Sequence, residues 1–412
     1  MATLIKNIKS LLQVREETPK MVNGKAMAQL PHIDNAFLII DNEGNIEEYG
    51  TMDTCPQIHF DTEIDATGRF VFPAFVDSHT HLVYAGSREI EYIDKVKGLS
   101  YEEIAKRGGG ILNSAKRLHD TSEESLYEQA LSRINEIGSQ GTCAVEIKSG
   151  YGLTLEDEVK MLRVIRRLKE TTPLAIKSTF LGAHAFPAEY KNNTDGYVDL
   201  IIDKMLPRIA EEGLADFIDV FCDRGFFSVE QTDRILTAGA KYGLQPKIHA
   251  NELARSGGIQ IGVQHNALSV DHLEFVEQEE LDVLLNSQTM PTVLPGASFF
   301  LGLRYAPARK MIDAGLPVAI ASDFNPGSSP SGNMKFMASL ALINQHLLPE
   351  EILNAVTINT AYAMGLHQTH GVVAKQRPAN LIITKPMPSF AFFLYAHNTP
   401  LVERVFVGGK LL

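Results

Sequence analysis

Three cysteines, Cys55, Cys143 and Cys222, are all that the 412 residues contain, and none stands in a Cys-x-x-Cys pair. Such an odd, scattered set forms neither a disulfide framework nor a thiolate zinc site, and it fits a reducing compartment. Basic charge is also scarce, with 38 Lys and Arg against 50 Asp and Glu and a formal net charge of −12. That balance argues against nucleic acid or anionic lipid as partners, since both need a basic face. An anionic small molecule stays open, because one local Arg can override the global field. Long apolar runs are missing too: no stretch approaches the ~18 apolar residues of a membrane span. Met1–Glu16 lacks the apolar core and small-residue cleavage site of a secretory signal. A cytoplasmic protein without a membrane contact is expected. The most apolar late segment, Phe390–Tyr395, reads as core or a subunit contact.

What is present describes an ordinary globular chain, 44% hydrophobic and 21% charged, without a low-complexity tract. Its length exceeds the usual single core and predicts one large domain with a smaller one appended. Both ends carry short β-like runs with turn signals. Ala36–Ile40 precedes Asp41-Asn42-Glu43-Gly44, and Leu381–Thr384 and Arg404–Val407 precede Gly408-Gly409. The ends are expected to complete one β-sandwich, from residues 1–72 and 366–412.

Between them, over 73–365, short apolar runs alternate with helical stretches, the pattern of βα units around a parallel sheet. Eight runs qualify: Phe75–His79, Thr142–Ile147, Leu174–Phe180, Phe217–Phe221, Pro246–His249, Leu268–Asp271, Thr289–Leu294 and Pro317–Ala321. They predict an α/β fold with a (β/α)8, TIM-like barrel. Thr121-x-x-Glu124 offers a capping box ahead of Leu126, Ala130, Ile134 and Ile137 at helical spacing, and Val159, Leu162, Ile165 and Leu168 form a similar stripe. The long connection from Val83 to about Thr121, with Arg107-Gly108-Gly109-Gly110, is a candidate lid.

Barrels of this kind gather their chemistry at the C-terminal ends of the strands. His79 and His81 fall there after strand one, Lys148 and Tyr151 after strand two, His184 after strand three, His249 after strand five, His272 after strand six and Asp323 after strand eight. Asp77-Ser78-His79-Thr80-His81 is the strongest signal, because histidines at i and i+2 of a strand project to one side and can chelate one ion. By itself a His-x-His is as often a pair of hydrogen-bonded histidines. An Asp at a βα junction, such as Asp323, is often a helix N-cap. Together His79, His81, His249 and Asp323 make a reasonable site for one divalent ion with a position left for water. Glu252, three residues after His249, is the candidate general acid/base. The alternative for it is a solvated carboxylate in the first turn of a following helix.

The His79-x-His81 pair, with His249, His272 and Asp323, resembles the amidohydrolase superfamily. Many of its two-metal members carry a carboxylated lysine at the end of strand four, whereas Ala215–Cys222 holds none here, so one metal is expected. Longer segments are similar to the imidazolonepropionase family within it. They are His79–Val83, Ser87-Arg88-Glu89, Arg107–Ile111, Lys148–Gly152, Thr179–Ala185, Leu294–Ala297 and Ser322–Pro330. This resemblance implies one zinc or iron ion, divalent or trivalent, per chain and 4-imidazolone-5-propanoate as substrate. The product would be N-formimidoyl-L-glutamate, and the chain a homodimer. It also implies Arg88 as the partner of the propanoate tail, where a planar guanidinium grips a carboxylate in two places. A surface ion pair with Glu89 or Glu91 is its alternative. Tyr151 and His184 match substrate-contacting positions and are expected to donate hydrogen bonds. His272 is expected to orient water. Asn325, Gly327 and Ser328 are expected to present backbone N–H groups to an anion, or else to form a tight turn. Lys148 receives no role. Deaminases of purine or pyrimidine rings, which share the His-x-His and His-x-x-Glu elements, and an assembly protein on the same barrel are the competing classes.

Overall fold

The computed structural model describes residues 2–99 and 109–412; Arg107 and Gly108 of the glycine-rich stretch lie outside the described residues. The chain opens with β1 (Thr3–Leu12), β2 (His32–Ile40), β3 (Ile46–Thr51), β4 (Thr62–Asp65) and β5 (Phe70–Pro73). The barrel follows as β6 (Phe75–Thr80), β7 (Thr142–Lys148), β8 (Ala175–Ala183), β9 (Phe217–Cys222), β10 (Gln245–Ala250), β11 (Ser269–His272), β12 (Met290–Val293) and β13 (Ala319–Ile320). The chain ends in β14 (Leu381–Thr384), β15 (Val402–Val407) and β16 (Lys410–Leu411). All eight expected runs are strands, their ends displaced by a few residues.

The barrel strands pair in parallel in sequence order from β6 to β13. Closure comes just beyond β13, where Asp323 N donates to His79 O at 2.9 Å and His81 N donates to Phe324 O at 2.9 Å. The seam therefore brings together three members of the expected metal set, His79, His81 and Asp323. Outward-facing residues such as Val145, Ile147, Ile218, Val220, Ile248 and Val270 are buried against the surrounding helices. Residues of alternate register face the barrel axis and are largely polar: Asp77 and His79, Glu146 and Lys148, Asp219, Lys247 and His249, Asp271. Many such barrels fill that interior with branched aliphatics. Here charge fills it, directly below the rim.

The terminal strands belong to one sheet, ordered β16-β15-β14-β5-β1-β2-β3 with β4 beside β1. Both chain ends thus complete one small β-domain, curled over a common core that includes Ile5, Ile8, Leu38, Ile46, Val71, Leu381 and Phe406. Phe390–Tyr395 is a short helix whose Phe393 is buried against Phe72 and Phe75. Among the described residues no helix is long and apolar enough to cross a membrane.

The helix Glu123–Ser139 buries Leu126, Ala130, Ile134 and Ile137, and the helix Leu155–Thr171 buries Val159, Leu162, Ile165 and Leu168, as their spacing predicts. The cap of the first differs from expectation. Ser122 takes the N-cap position and accepts from Ser125 N, while the Thr121 hydroxyl donates back to Arg117 O and Glu124 pairs with Arg167. Adjacent Thr and Ser both suit the position, and the end of the preceding helix claims Thr121. The long connection after β6 also contains more structure than a loop, with helices Glu89–Val96 and Ile111–His119.

Far from the barrel mouth, burial pushes the His370 imidazole down to about 4, with Arg377 adding to the effect. The unfolded chain binds this proton near pH 6.5 and the folded chain resists it. Stability is therefore present above pH 6.5 and lost as pH falls towards 4. Between pH 7 and 5, urea unfolding should show the wild type losing about 2 kcal/mol more than His370→Gln. Equal losses in both chains would place the acid sensitivity elsewhere.

Candidate active site

Strand ends bring the expected residues to one cavity of about 410 Å³, lined by His81, His249, Asp323, Glu252 and His272 on its polar side. Arg88, Tyr151, His184, Asn325, Gly327 and Ser328 line the same cavity. His79 is fully buried behind it.

The histidine arrangement is tight. Ring centroids are 4.5 Å apart for His79 and His249 and 5.4 Å for His79 and His81. Asp323 Oδ1 lies 3.5 Å from Nε2 of both His79 and His81. Three overlapping triads have possible ligand atoms within 4.8 Å of one another: His79, His249 and His272; His81, His184 and His249; His79, His81 and Asp323. Each of the four expected ligands appears in at least one triad, and His79, His81 and His249 each appear in two. Several features fit a cation there. Nε2 of His79 and of His249 are buried and find no hydrogen-bond partner among the described residues, an arrangement that is costly unless something else binds them. Burial, reinforced by neighbouring Lys148 and histidines, holds the His79 imidazole well below its ordinary value. Burial with His184 and His249 does the same for His81. Neutral imidazoles are the metal-binding form. Asp323 adopts φ +53°, a strained conformation for a non-glycine residue that often marks a functional site.

Two carboxylates absent from the sequence reading hold these rings. Asp271 Oδ2 accepts from His79 Nδ1 at 2.6 Å. Asp219 Oδ1 accepts from His249 N at 3.1 Å, and its Oδ2 stands 3.0 Å from His249 Nδ1 as an ion-pair contact that falls short of hydrogen-bond alignment. Their signal is an acid inside a buried strand: Asp219 interrupts the apolar run of β9, and Asp271 stands within β11 just before a rim histidine.

Glu252 follows Asn251, whose φ of +56° turns the chain out of β10. The next helix begins only at Gly258, so Glu252 is no helix-start carboxylate; it faces the cavity with Oε2 3.8 Å from His272 Nδ1. Burial pushes its carboxyl up, and Glu274 adds to this while His272 opposes it. His272 has φ +86° and lies between Glu252 and Glu274, 3.9 Å from the latter. Burial would lower its imidazole, but the two carboxylates outweigh that and raise it. Glu274, also missed, is buried and accepts from Ser298 Oγ at 3.1 Å.

Arg88 pairs with Glu91, which accepts from Nε at 2.8 Å and contacts Nη2 at 2.7 Å. Glu89 instead takes the Ser87 hydroxyl. Glu91 also accepts from Gly110 N and Asn113 Nδ2, so it fixes the guanidinium against the neighbouring helix. Nη1 rests on Gly327, where an added Cβ would come within 2.1 Å of it. Two expectations need correction. Gly327 N and Ser328 N both donate to Asn325 Oδ1 at 2.8 Å, so the turn satisfies its own N–H groups instead of presenting them to an anion. His184 Nδ1 faces Gly150 O at 3.0 Å, and burial holds the ring down to about 3. A carbonyl only accepts, so Nδ1 carries the proton and Nε2 is an acceptor, not a donor. Tyr151 is buried beside His184, with ring centroids 5.4 Å apart.

An arrangement of this kind defines a barrel hydrolase that sets water against a polar bond of a small substrate. The Amidohydrolase family model matches residues 70–412, and the chain belongs to the amidohydrolase family. It is 56% identical over 412 residues, covering 100% of both chains, to imidazolonepropionase of Flavobacterium johnsoniae, and 55% identical, with the same coverage, to that of Christiangramia forsetii. The fold is also that of 5-methylcytosine deaminase from Klebsiella pneumoniae, at TM-score 0.75 and 18% identity, covering 99% of this chain and 97% of that one.

Proposed function

We propose that this protein is an imidazolonepropionase, hydrolysing the cyclic amide C–N bond of 4-imidazolone-5-propanoate to N-formimidoyl-L-glutamate in histidine degradation. One observation carries the reading: a chain 56% identical throughout to such an enzyme places a fixed guanidinium, Arg88, in one cavity with the histidine cluster.

His79, His81, His249 and Asp323 would hold one zinc or iron ion. Such an ion lowers the pKa of a bound water and polarises a carbonyl. Arg88 binds the propanoate carboxylate, with Glu91 keeping the guanidinium in place. Tyr151 and His184 border the ring, and His184 Nε2 accepts from a ring N–H. Glu252 takes the proton of the attacking water and returns it to the ring nitrogen that leaves; burial keeps its carboxyl above the ordinary range, suited to both steps near neutral pH. His272, held by Glu252 and Glu274, donates to the oxygen on which charge develops. Water adds across the amide bond, so no further reactant is needed. A cytoplasmic homodimer completes the reading, and sedimentation checks the dimer.

The direct test supplies imidazolone propanoate and follows loss of its ultraviolet absorbance. Turnover is expected; no turnover, with ammonia released from cytosine or guanine, would replace the reading with a deaminase. Arg88→Met should weaken substrate binding by about 1.5–3 kcal/mol, the scale of a hydrogen bond to a charged group. Glu91 keeps Gly110 and Asn113, so the local fold should survive. An unchanged KM and kcat/KM would remove Arg88 from the tail site.

A further inference from the structure

Five of the charged side chains buried inside the barrel, Glu146, Lys148, Asp219, Lys247 and Asp271, lie together below the histidines. None reaches the cavity described above. Their contacts form one connected body. Lys148 Nζ donates to Glu146 Oε1 and to Asp219 Oδ2 at 2.8 Å, and stands 3.9 Å from Asp271. Lys247 Nζ donates to Glu146 Oε2 and to Ser78 O at 2.9 Å, and is likewise 3.9 Å from Asp271. Thr179 Oγ1 adds a donation to Glu146 at 2.6 Å. The body meets the histidines at two points, Asp271 on His79 Nδ1 and Asp219 on His249 Nδ1.

An imidazole whose Nδ1 faces a carboxylate keeps its proton there and offers the Nε2 lone pair, and outer partners of this type tune metal affinity. The carboxylates can serve only if they are themselves held. A carboxylate in a dry barrel without a cation is costly, and a mobile one would let the ring turn. We propose that Lys148 is a positioning residue for the metal site, fixing Asp219 beneath His249 so that the ring presents Nε2 to the ion. This rests on the metal assignment made above for His249. On the His79 side Lys247 stands 3.9 Å from Asp271 and is tied instead to Glu146 and to the backbone at Ser78. A space-filling role is the competing account: Lys148 and Lys247 are both among the largest fully buried side chains.

The test is metal affinity of the full-length chain, read by competition with a chromophoric chelator for zinc(II), alongside thermal unfolding of the zinc-free and zinc-loaded forms. Lys148→Met and Asp219→Asn should each weaken zinc binding by about 10–100-fold. The double variant should fall close to the weaker single one, since both act through one contact. A space-filling role predicts lower unfolding temperatures with zinc affinity within twofold of wild type, and that result would overturn the proposal. A double variant whose loss equals the product of the single losses would also overturn it, by making the two residues independent. If Lys148→Met does not fold, Asp219→Asn, which keeps shape and volume, carries the test: unchanged affinity there overturns it. Failure of the wild type to bind zinc or iron would instead remove the metal assignment itself.

Discussion

Replacing Glu252 by Gln is expected to lower kcat by about 10²–10⁴-fold while the metal content stays at the wild-type level. The amide keeps the size of the side chain and removes its ability to take or give a proton. The site geometry makes this the largest single loss outside the metal set, because Glu252 is the carboxylate that both lines the cavity and contacts His272. Its burial sets the pH dependence. In the wild type the acidic limb of kcat/KM should lie above the ordinary carboxylate range, since burial and Glu274 raise this group more than His272 lowers it. Activity then falls as pH drops through that raised value, and the limb disappears in the Gln variant. Full activity, or a wild-type acidic limb, in Glu252→Gln would assign proton transfer to another group.

Metal removal should be equally decisive. Exhaustive chelation is expected to reduce turnover at pH 7 by at least about 10³-fold, the several kcal/mol that a Lewis acid supplies. Adding back zinc or iron(II) restores it. Stability should fall in parallel, because an ion that binds only the folded chain contributes about 4 kcal/mol when free ion is a thousandfold above its Kd. The physical basis is local: the buried Nε2 atoms of His79 and His249 have no partner among the described residues. Turnover that persists in fully stripped protein would exclude the ion from the reaction.

The histidine motif and the strand count were legible because both are local. A His-x-His at the end of an apolar run declares its side of the strand, and eight alternations of apolar run and helical stripe leave few topologies. The cap expected at Thr121 falls one residue later, at Ser122, since two neighbouring hydroxyls are equivalent until the preceding helix engages one of them. His184 illustrates a different limit. Its residue type permits a donor or an acceptor, and only the carbonyl of Gly150 fixes which nitrogen carries the proton. The turn at Asn325–Ser328 likewise reads as an anion cradle until Asn325 Oδ1 is seen to consume its N–H groups.

Two of the chain's 38 lysines and arginines, Lys148 and Lys247, are buried in the barrel among carboxylates. The sequence by itself determined the βα order and the polar residues at the strand ends, because these follow from periodicity and spacing along the chain, and its segments carry the resemblance to the family. Tertiary structure decided which charges meet. Glu146 and Lys247 are 101 positions apart, and Asp271 and His79 are 192 apart. Such pairs exist only once the seam between Asp323 and His79 closes the sheet, and no periodicity along the chain encodes them.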